Sequence, residues 1–409
     1  MQKLTKLNFF PLLFSCSTAF IFFWTVPSLS QADAAFQKWL NNFYQTAAEH
    51  GISRTTFDRT FKNVTSPDPK VIKKANYQPE FTTEIWDYLD TRVTSQATNL
   101  GRKKEAQYRN VLSEIEKKFG VERSIILAIW SMESNYGAVL AKTNRLHYVP
   151  RALATLAYKD KKRAKFARNQ LIALLEMVEK GEVQPEQLMG SWAGAMGHTQ
   201  FIPTSYKAYG VNMDSSPGVD IWTSVPDALG TAANLLSENG WQTGKTWGYE
   251  VIVPKGASRY KEETKTIGQW KNLGLIRPDN QFFPRPTEKA ILKMTGGDNG
   301  PGFLVIKNFF VIKKYNNSDF YALAVGLLAD RIAGHGPMSQ KWPRPATSLN
   351  SAEKYELQLL LKALGYYQGE IDGNLGTLSR KAVKQFQLAK GRKATGVPSR
   401  EILQLLRKQ

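Results

Sequence analysis

The run from Ile125 to Met132, almost uninterrupted in its apolar character, restricts the fold more than any other stretch. A helix that is apolar around its whole circumference leaves no face for water, so the rest of the chain must enclose it. The run ends in Glu133, followed by Ser134, Asn135, Tyr136 and Gly137. A carboxylate at the end of an enclosed helix is either costly or useful. Asn, Tyr and Gly predict a helix end near Gly137. Glu133 then lies in the last turn, where the helix dipole opposes negative charge. Ile129, Trp130 and Met132 add desolvation, and both effects raise a carboxyl pKa. A carboxyl protonated near neutral pH is suited to protonating a leaving oxygen. A Glu satisfied by a buried Arg or a backbone amide would show the same pattern, so both roles stay open at this point.

A second stretch carries its own chemistry. Residues 190–210, "GSWAGAMGHTQFIPTSYKAYG", read as one glycine-punctuated loop. Gly194 and Gly197 allow a backbone to approach a ligand closely. Ser191, Gln200 and Tyr206 offer hydrogen bonds, while Trp192, Phe201 and Tyr206 offer flat apolar faces. Polar groups beside aromatic surfaces suit a sugar. A plain turn packed between helices remains the other reading of the same residues.

Around these stretches the chain divides by its periodicity. From Phe36 to about Leu188 the apolar spacing is helical, and 225–239 and 319–333 predict further helices ending at Gly240 and Gly334. Between them, "YEVIVP" and "GFLVIKNFFVIKKY" are rich in β-branched and aromatic residues. They predict a small β-containing insertion over about 245–315. Residues 335–350, with three prolines and little periodicity, read as a linker. From 351 to 409 two amphipathic helices flank a Gly-rich turn, a small second domain held by helix packing. The fold class expected is therefore mainly α, with a small β insertion and a helical C-terminal domain.

The N-terminus predicts export. Lys3 and Lys6 precede an apolar stretch and then Ala32-Asp33-Ala34, the layout of a cleavable leader over 1–34. The only cysteine, Cys16, lies inside it and reads as an ordinary residue of the apolar stretch, so the mature chain would hold no disulfide. Membrane association would then come at most through an uncleaved or lipidated N-terminus. Lys+Arg 55 against Asp+Glu 35 gives a net charge of +20, which fits an anionic partner. No RNA-recognition consensus, zinc-finger spacing or long basic block accompanies it, so nucleic acid is not the expected partner. His50, His147, His198 and His335 are scattered, without H-E-x-x-H, and predict no metal site; His198 reads as a loop-surface residue.

"MESNYG" followed some way downstream by "GSWAGAMGHTQFIPTSYKAYG", and then "IKKYNNSDFYALAVGLLADRI" at 312–332, resembles the membrane-bound lytic murein transglycosylase B family of lysozyme-like enzymes. The similarity covers about 36–335. Residues 351–409, with "LGYYQGEIDGNLGTLSRKAVKQFQ", resemble the peptidoglycan-binding domain 1 module. The resemblance implies a lysozyme-like α+β catalytic region over 35–334, located in the periplasm. It also implies cleavage of the β-1,4 bond between N-acetylmuramic acid and N-acetylglucosamine, with peptidoglycan strands as partner and no cofactor. The muramic C6 hydroxyl would attack its own C1, leaving a 1,6-anhydro sugar. Glu133 would be the single acid/base, and Ser191, Gln200, Tyr315, Asn316 and Tyr321 would contact the sugars. A single carboxylate suits this chemistry, whereas two-carboxylate glycosidases need a nucleophile or a base for water.

One segment departs from the family. Its members often carry an acidic calcium loop where this chain has "VNMDSSPGVDIWTSVPD". Ser216 replaces a carboxylate and Pro217 the glycine of the sharp turn, although Asn212, Asp214 and Asp227 still offer oxygens. The expectation is a loop without calcium, with Asp220 solvated. Two other functions fit parts of the sequence: a hydrolytic muramidase using Glu133 with a distant carboxylate, and a non-catalytic peptidoglycan-binding protein.

Overall fold

In the computed structural model, which describes residues 33–76, 84–345, 347–373 and 375–409, many helix starts coincide with short polar side chains. Each of these accepts a backbone N–H that a helix end leaves unpaired. Asp33 starts Ala34–Glu49 (α1), Ser53 starts Arg54–Phe61 (α2) and Asp68 starts Pro69–Ala75 (α3). Ile85–Arg92 (α4) follows, and Thr94 caps Ser95–Gln107 (α5). Arg109–Phe119 (α6) stops at Gly120, and Arg123–Ser134 (α7) carries the apolar run. The expected leader falls almost wholly on residues 1–32, outside the described residues.

As its composition demands, α7 is enclosed. Ile126, Leu127, Ala128 and Ile129 have no exposed surface. α7 is wrapped by α5, α6 and two later helices, Val225–Glu238 (α11) and Asp319–Ile332 (α14). His147–Tyr148 (β1) pairs antiparallel with Met189–Gly190 (β2), and Val149–Lys159 (α8) and Ala164–Glu179 (α9) connect them. Pro203–Tyr209 forms α10, so the last third of the expected 190–210 loop is helical, with Pro203 at its first position.

The β insertion is a four-stranded antiparallel sheet, in the order β3-β6-β5-β4. Its strands are Gly248–Val251 (β3), Thr264–Thr266 (β4), Lys289–Lys293 (β5) and Gly302–Val305 (β6). The sheet and the short helix Ile267–Asn272 (α12) build a separate core around Trp270. The expected extension to 315 is corrected: strand character stops at Val305, and Lys307–Tyr315 is a helix (α13). Phe309, Val311 and Ile312 face the main core. Buried Asn308 donates to the carbonyls of Gln242 and Lys245 at 3.0 and 2.7 Å and accepts from Gln242 N at 2.8 Å, pinning the first turn. Tertiary packing here overrides a β-leaning composition.

Past α14 the irregular 335–350 segment is docked rather than loose. Glu250 accepts the backbone N–H groups of Ser339 and Gln340, and Trp342 packs on Phe303 with ring centroids 6.2 Å apart. The C-terminal part has three helices instead of the two expected: Ser351–Ala363 (α15), Thr377–Ala389 (α16) and Arg400–Leu406 (α17). Ile402, Leu403 and Leu406 of α17 close a small core against Leu357, Leu361, Val383 and Phe386. Among the described residues no helix is long and apolar enough to cross a membrane.

Candidate active site

α7 ends one turn earlier than its sequence suggested, and the reason is local. Asn135, Tyr136 and Gly137 all take positive φ, at 51°, 56° and 88°. Ser134 fixes this turn, since its hydroxyl accepts Gly137 N at 2.9 Å and donates to the carbonyl of His198 at 2.5 Å. Tyr136 donates to Ala97 O on α5 at 2.9 Å. Only glycine fits at 137, because a Cβ there would lie 2.5 Å from the His198 ring. "SNYG" thus serves to stop α7 abruptly and lock its end to the 190–202 loop.

This leaves Glu133 at the penultimate position of α7, partly exposed but surrounded at depth by protein. Tyr321 of α14 donates its hydroxyl to Glu133 Oε1 at 2.6 Å. Burial pushes the Glu133 carboxyl up to about 7, while the Tyr321 hydrogen bond and the positive charge of Arg92 pull the other way. Burial also drives the Tyr321 and Tyr315 hydroxyls well above the ordinary tyrosine range, so both stay protonated donors. The charge that bears on the Glu133 carboxyl is the positive charge of Arg92.

The sugar-contact candidates divide into two groups. Tyr315 and Tyr321 stack in near-parallel, with centroids 6.5 Å apart, and Tyr315 donates to Thr199 O at 2.6 Å. Gln200, next to Thr199, takes φ +52° and donates from Nε2 to Gly197 O at 2.8 Å. Glu133, Tyr321, Tyr315 and the 199–200 backbone therefore form one connected group. Ser191 and Asn316 are not hydrogen-bonded to it. The Ser191 hydroxyl accepts Ala193 N and Ala195 N within its own loop, and Asn316 is an exposed amide directly after α13. Ser318 also caps α14 by accepting Tyr321 N, so this block serves packing as well as the site.

Three expectations are corrected. Tyr206 is buried and donates to Val219 O at 2.7 Å, and buried Phe201 meets Tyr315 edge-on, so neither offers a face to a ligand. His198 is not on the loop surface: it is half-buried, accepts Trp130 Nε1–H at 3.3 Å, and burial lowers its pKa. Asp220 is not simply solvated, since it accepts Trp222 N, Thr223 N and the Thr223 hydroxyl. No motif or spacing marked Tyr88 and Arg92. On α4, Arg92 lies 4.1 Å over the Tyr88 ring, Tyr88 packs on Phe320, and the positive charge of Arg92 favours the Glu133 carboxylate.

The 211–227 loop does not fit a calcium ion. Asn212 Nδ2 donates to Ser216 O and Gly218 O, putting an amide where a cation's ligands would converge. Asp214 accepts Ser216 N and the Ser224 hydroxyl, and buried Asp227 accepts Met213 N and Asp220 N at 2.7 and 2.8 Å. The carboxylates of the loop are thus taken by the loop's own N–H and hydroxyl donors.

Residues 35–330 match the model of the transglycosylase SLT domain family, and residues 350–406 match that of a peptidoglycan binding domain. The chain is 32% identical over 230 residues to membrane-bound lytic murein transglycosylase B of Escherichia coli (strain K12). That alignment covers 56% of this chain and 61% of the relative, less than two thirds of its length. SltB3 of Pseudomonas aeruginosa, solved in complex with NAG-NAM-pentapeptide and with NAG-anhNAM-pentapeptide, is similar at TM-score 0.72 and 40% identity, over 91% of this chain and 99% of SltB3. The lytic transglycosylase Slt35 of Escherichia coli, solved in complex with calcium, gives a TM-score of 0.62 at 25% identity, over 73% of this chain and 93% of Slt35.

Proposed function

This chain belongs to the transglycosylase SLT domain family, lysozyme-like and mainly α, and from that premise we propose that it is a lytic murein transglycosylase with Glu133 as its single acid/base. It cleaves the β-1,4 bond between N-acetylmuramic acid and N-acetylglucosamine and leaves a 1,6-anhydro sugar. The observation that carries this reading is a carboxyl at the end of an enclosed helix, hydrogen-bonded by Tyr321 at 2.6 Å and raised by burial to about 7. The anhydro sugar named in one complex of SltB3 supports the product.

The steps follow from the geometry of Glu133. With Oε1 taken by Tyr321, Oε2 is the oxygen left for substrate. Protonated Glu133 gives its proton to the glycosidic oxygen as the C1–O bond breaks, and N-acetylglucosamine leaves as an alcohol. The resulting carboxylate is favoured by the Tyr321 hydrogen bond and the Arg92 charge. It takes the proton of the muramic C6 hydroxyl as that oxygen bonds to C1. The proton returns to Glu133, and no water is consumed. Ser191, whose oxygen already accepts two backbone N–H groups, has its own proton to donate to a sugar oxygen. Gln200, Tyr315 and Asn316 complete the sugar contacts, whereas Tyr321, buried and donating to Glu133, offers the substrate no face and acts through that carboxyl.

Residues 351–409 would hold the enzyme on the wall, joined through 335–350 to a catalytic region over 35–334. Residues 1–34 would be a leader that exports it to the periplasm, where peptidoglycan lies. Mass spectrometry of purified sacculi digested by the protein and by Glu133→Gln tests the proposal. Anhydromuropeptides from the parent and none from the variant are expected. Reducing-end products would turn the activity to hydrolysis, and sacculi bound but uncut by both proteins would leave a binding protein.

A further inference from the structure

The helix α4 faces two ways. On one side its Tyr88 packs on Phe320, the neighbour of Tyr321, with ring centroids 5.8 Å apart, and Arg92 lies over Tyr88 and acts on Glu133. On the other side the same helix is gripped from beyond the catalytic region. Arg344 makes two hydrogen bonds to the Asp90 carboxylate, both 2.7 Å, and Lys354 of α15 reaches Asp90 at 3.0 Å and Asp87 at 2.6 Å. The Ser351 hydroxyl adds a bond to Asp90 O at 3.3 Å. Asp90 and Lys354 are both well buried in this seam. Beside the grip the seam is hollow: a cavity of about 540 Å³ is lined by Leu89, Asp90, Gln96, Trp342, Arg344 and Tyr355. The outer face of α4 thus rests on charged anchors rather than on packed side chains.

We propose that the C-terminal module positions α4 against α14, the helix that brings Tyr321 to the active-site carboxyl, with Asp90 as the positioning residue, so that seating the module is part of assembling the catalytic site. This rests on the activity proposed above. Loop and helix placement of this kind governs rate because small misplacements of reacting groups are costly. The groups that bear on Glu133 come from three elements: Tyr321 on α14 by a hydrogen bond, Tyr315 on α13 stacked on Tyr321, and Arg92 on α4 by its charge. Of these, Arg92 is the one carried by the clasped helix.

The test uses the full chain and soluble, uncrosslinked glycan strands, for which retention on the wall plays no part. Asp90→Asn keeps the side-chain shape and removes the charge; Lys354→Met breaks the same clasp from the module side. Both variants are expected to lose about tenfold in kcat with KM little changed, and to show faster amide exchange over residues 85–92. Their alkaline pH limb moves upward, because a displaced Arg92 no longer favours the Glu133 carboxylate. Unchanged kcat and unchanged exchange of α4 would overturn the proposal, as would weaker sacculus binding with soluble-strand kcat intact, which makes the module a tether only. If the parent chain forms no anhydro product, the proposed activity fails, while the exchange of α4 still decides the coupling.

Discussion

At the scale of single residues, the pH behaviour of Glu133 follows from opposing physical effects of known sign. Its carboxyl is raised from an ordinary 4.5 to about 7, with burial the largest cause. A raised pKa means that the folded state holds the proton more tightly than the unfolded chain. The stability it contributes is full below about pH 4.5 and is lost as pH rises through about 7. Glu133→Gln, which cannot ionise, should therefore be more stable than the parent at pH 8, by on the order of 2 kcal/mol. The two proteins should converge at pH 4, and denaturant titrations at both pH values measure this. Activity should fall as pH rises through about 7, since the proton donor is then lost. Tyr321→Phe removes a hydrogen bond that favours the carboxylate, so its alkaline limb should move upward while kcat drops. Stopped assays across pH 5–9 read both effects. The upward shift of the Glu133 carboxyl was legible from its own neighbours, because the features that perturb it, an apolar helix and an abrupt end, are local in sequence. Arg92 was not, because its influence comes from tertiary packing across separate helices.

At the scale of elements, the helices were legible where caps and apolar spacing agreed, as in α11 and α14. Misreadings arose where composition and packing disagreed. The β-branched and aromatic residues of 307–315 read as strand, yet Asn308 and the main core hold them as helix. α17 was missed because a seven-residue helix offers too little periodicity to register. The 211–227 loop was expected to hold no calcium because of Ser216 and Pro217, but the part played by its carboxylates was not legible. Asp227, with no exposed surface, joins two stretches of that loop by accepting two backbone N–H groups. Asp227→Asn would turn one acceptor into a donor facing an N–H group, costing about 2–3 kcal/mol. Millimolar calcium or EDTA should leave the melting temperature of the parent chain unchanged, and a calcium-dependent rise in thermal scans would refute the self-satisfied loop.

At the scale of the whole molecule, the peptidoglycan binding domain and the larger catalytic region have separate hydrophobic cores. Separate cores favour separate unfolding. The seam between them is bridged by Asp90, which Arg344 and Lys354 hold below the usual carboxylate range even though burial alone would raise it. A depressed pKa gives stability that is present above the unfolded value and is lost as pH falls through the folded one. At pH 7 the clasp is therefore fully formed, and breaking it from one side leaves a buried charge without its partner, a costly state. Calorimetry of the parent at pH 7 should show one transition in which α15–α17 melt together with α4. Asp90→Asn should divide that transition, with the module unfolding first. Two transitions already present in the parent would mean that the clasp is too weak to couple the cores, and α4 would then have to be held in place by its contacts with α14 rather than by the module.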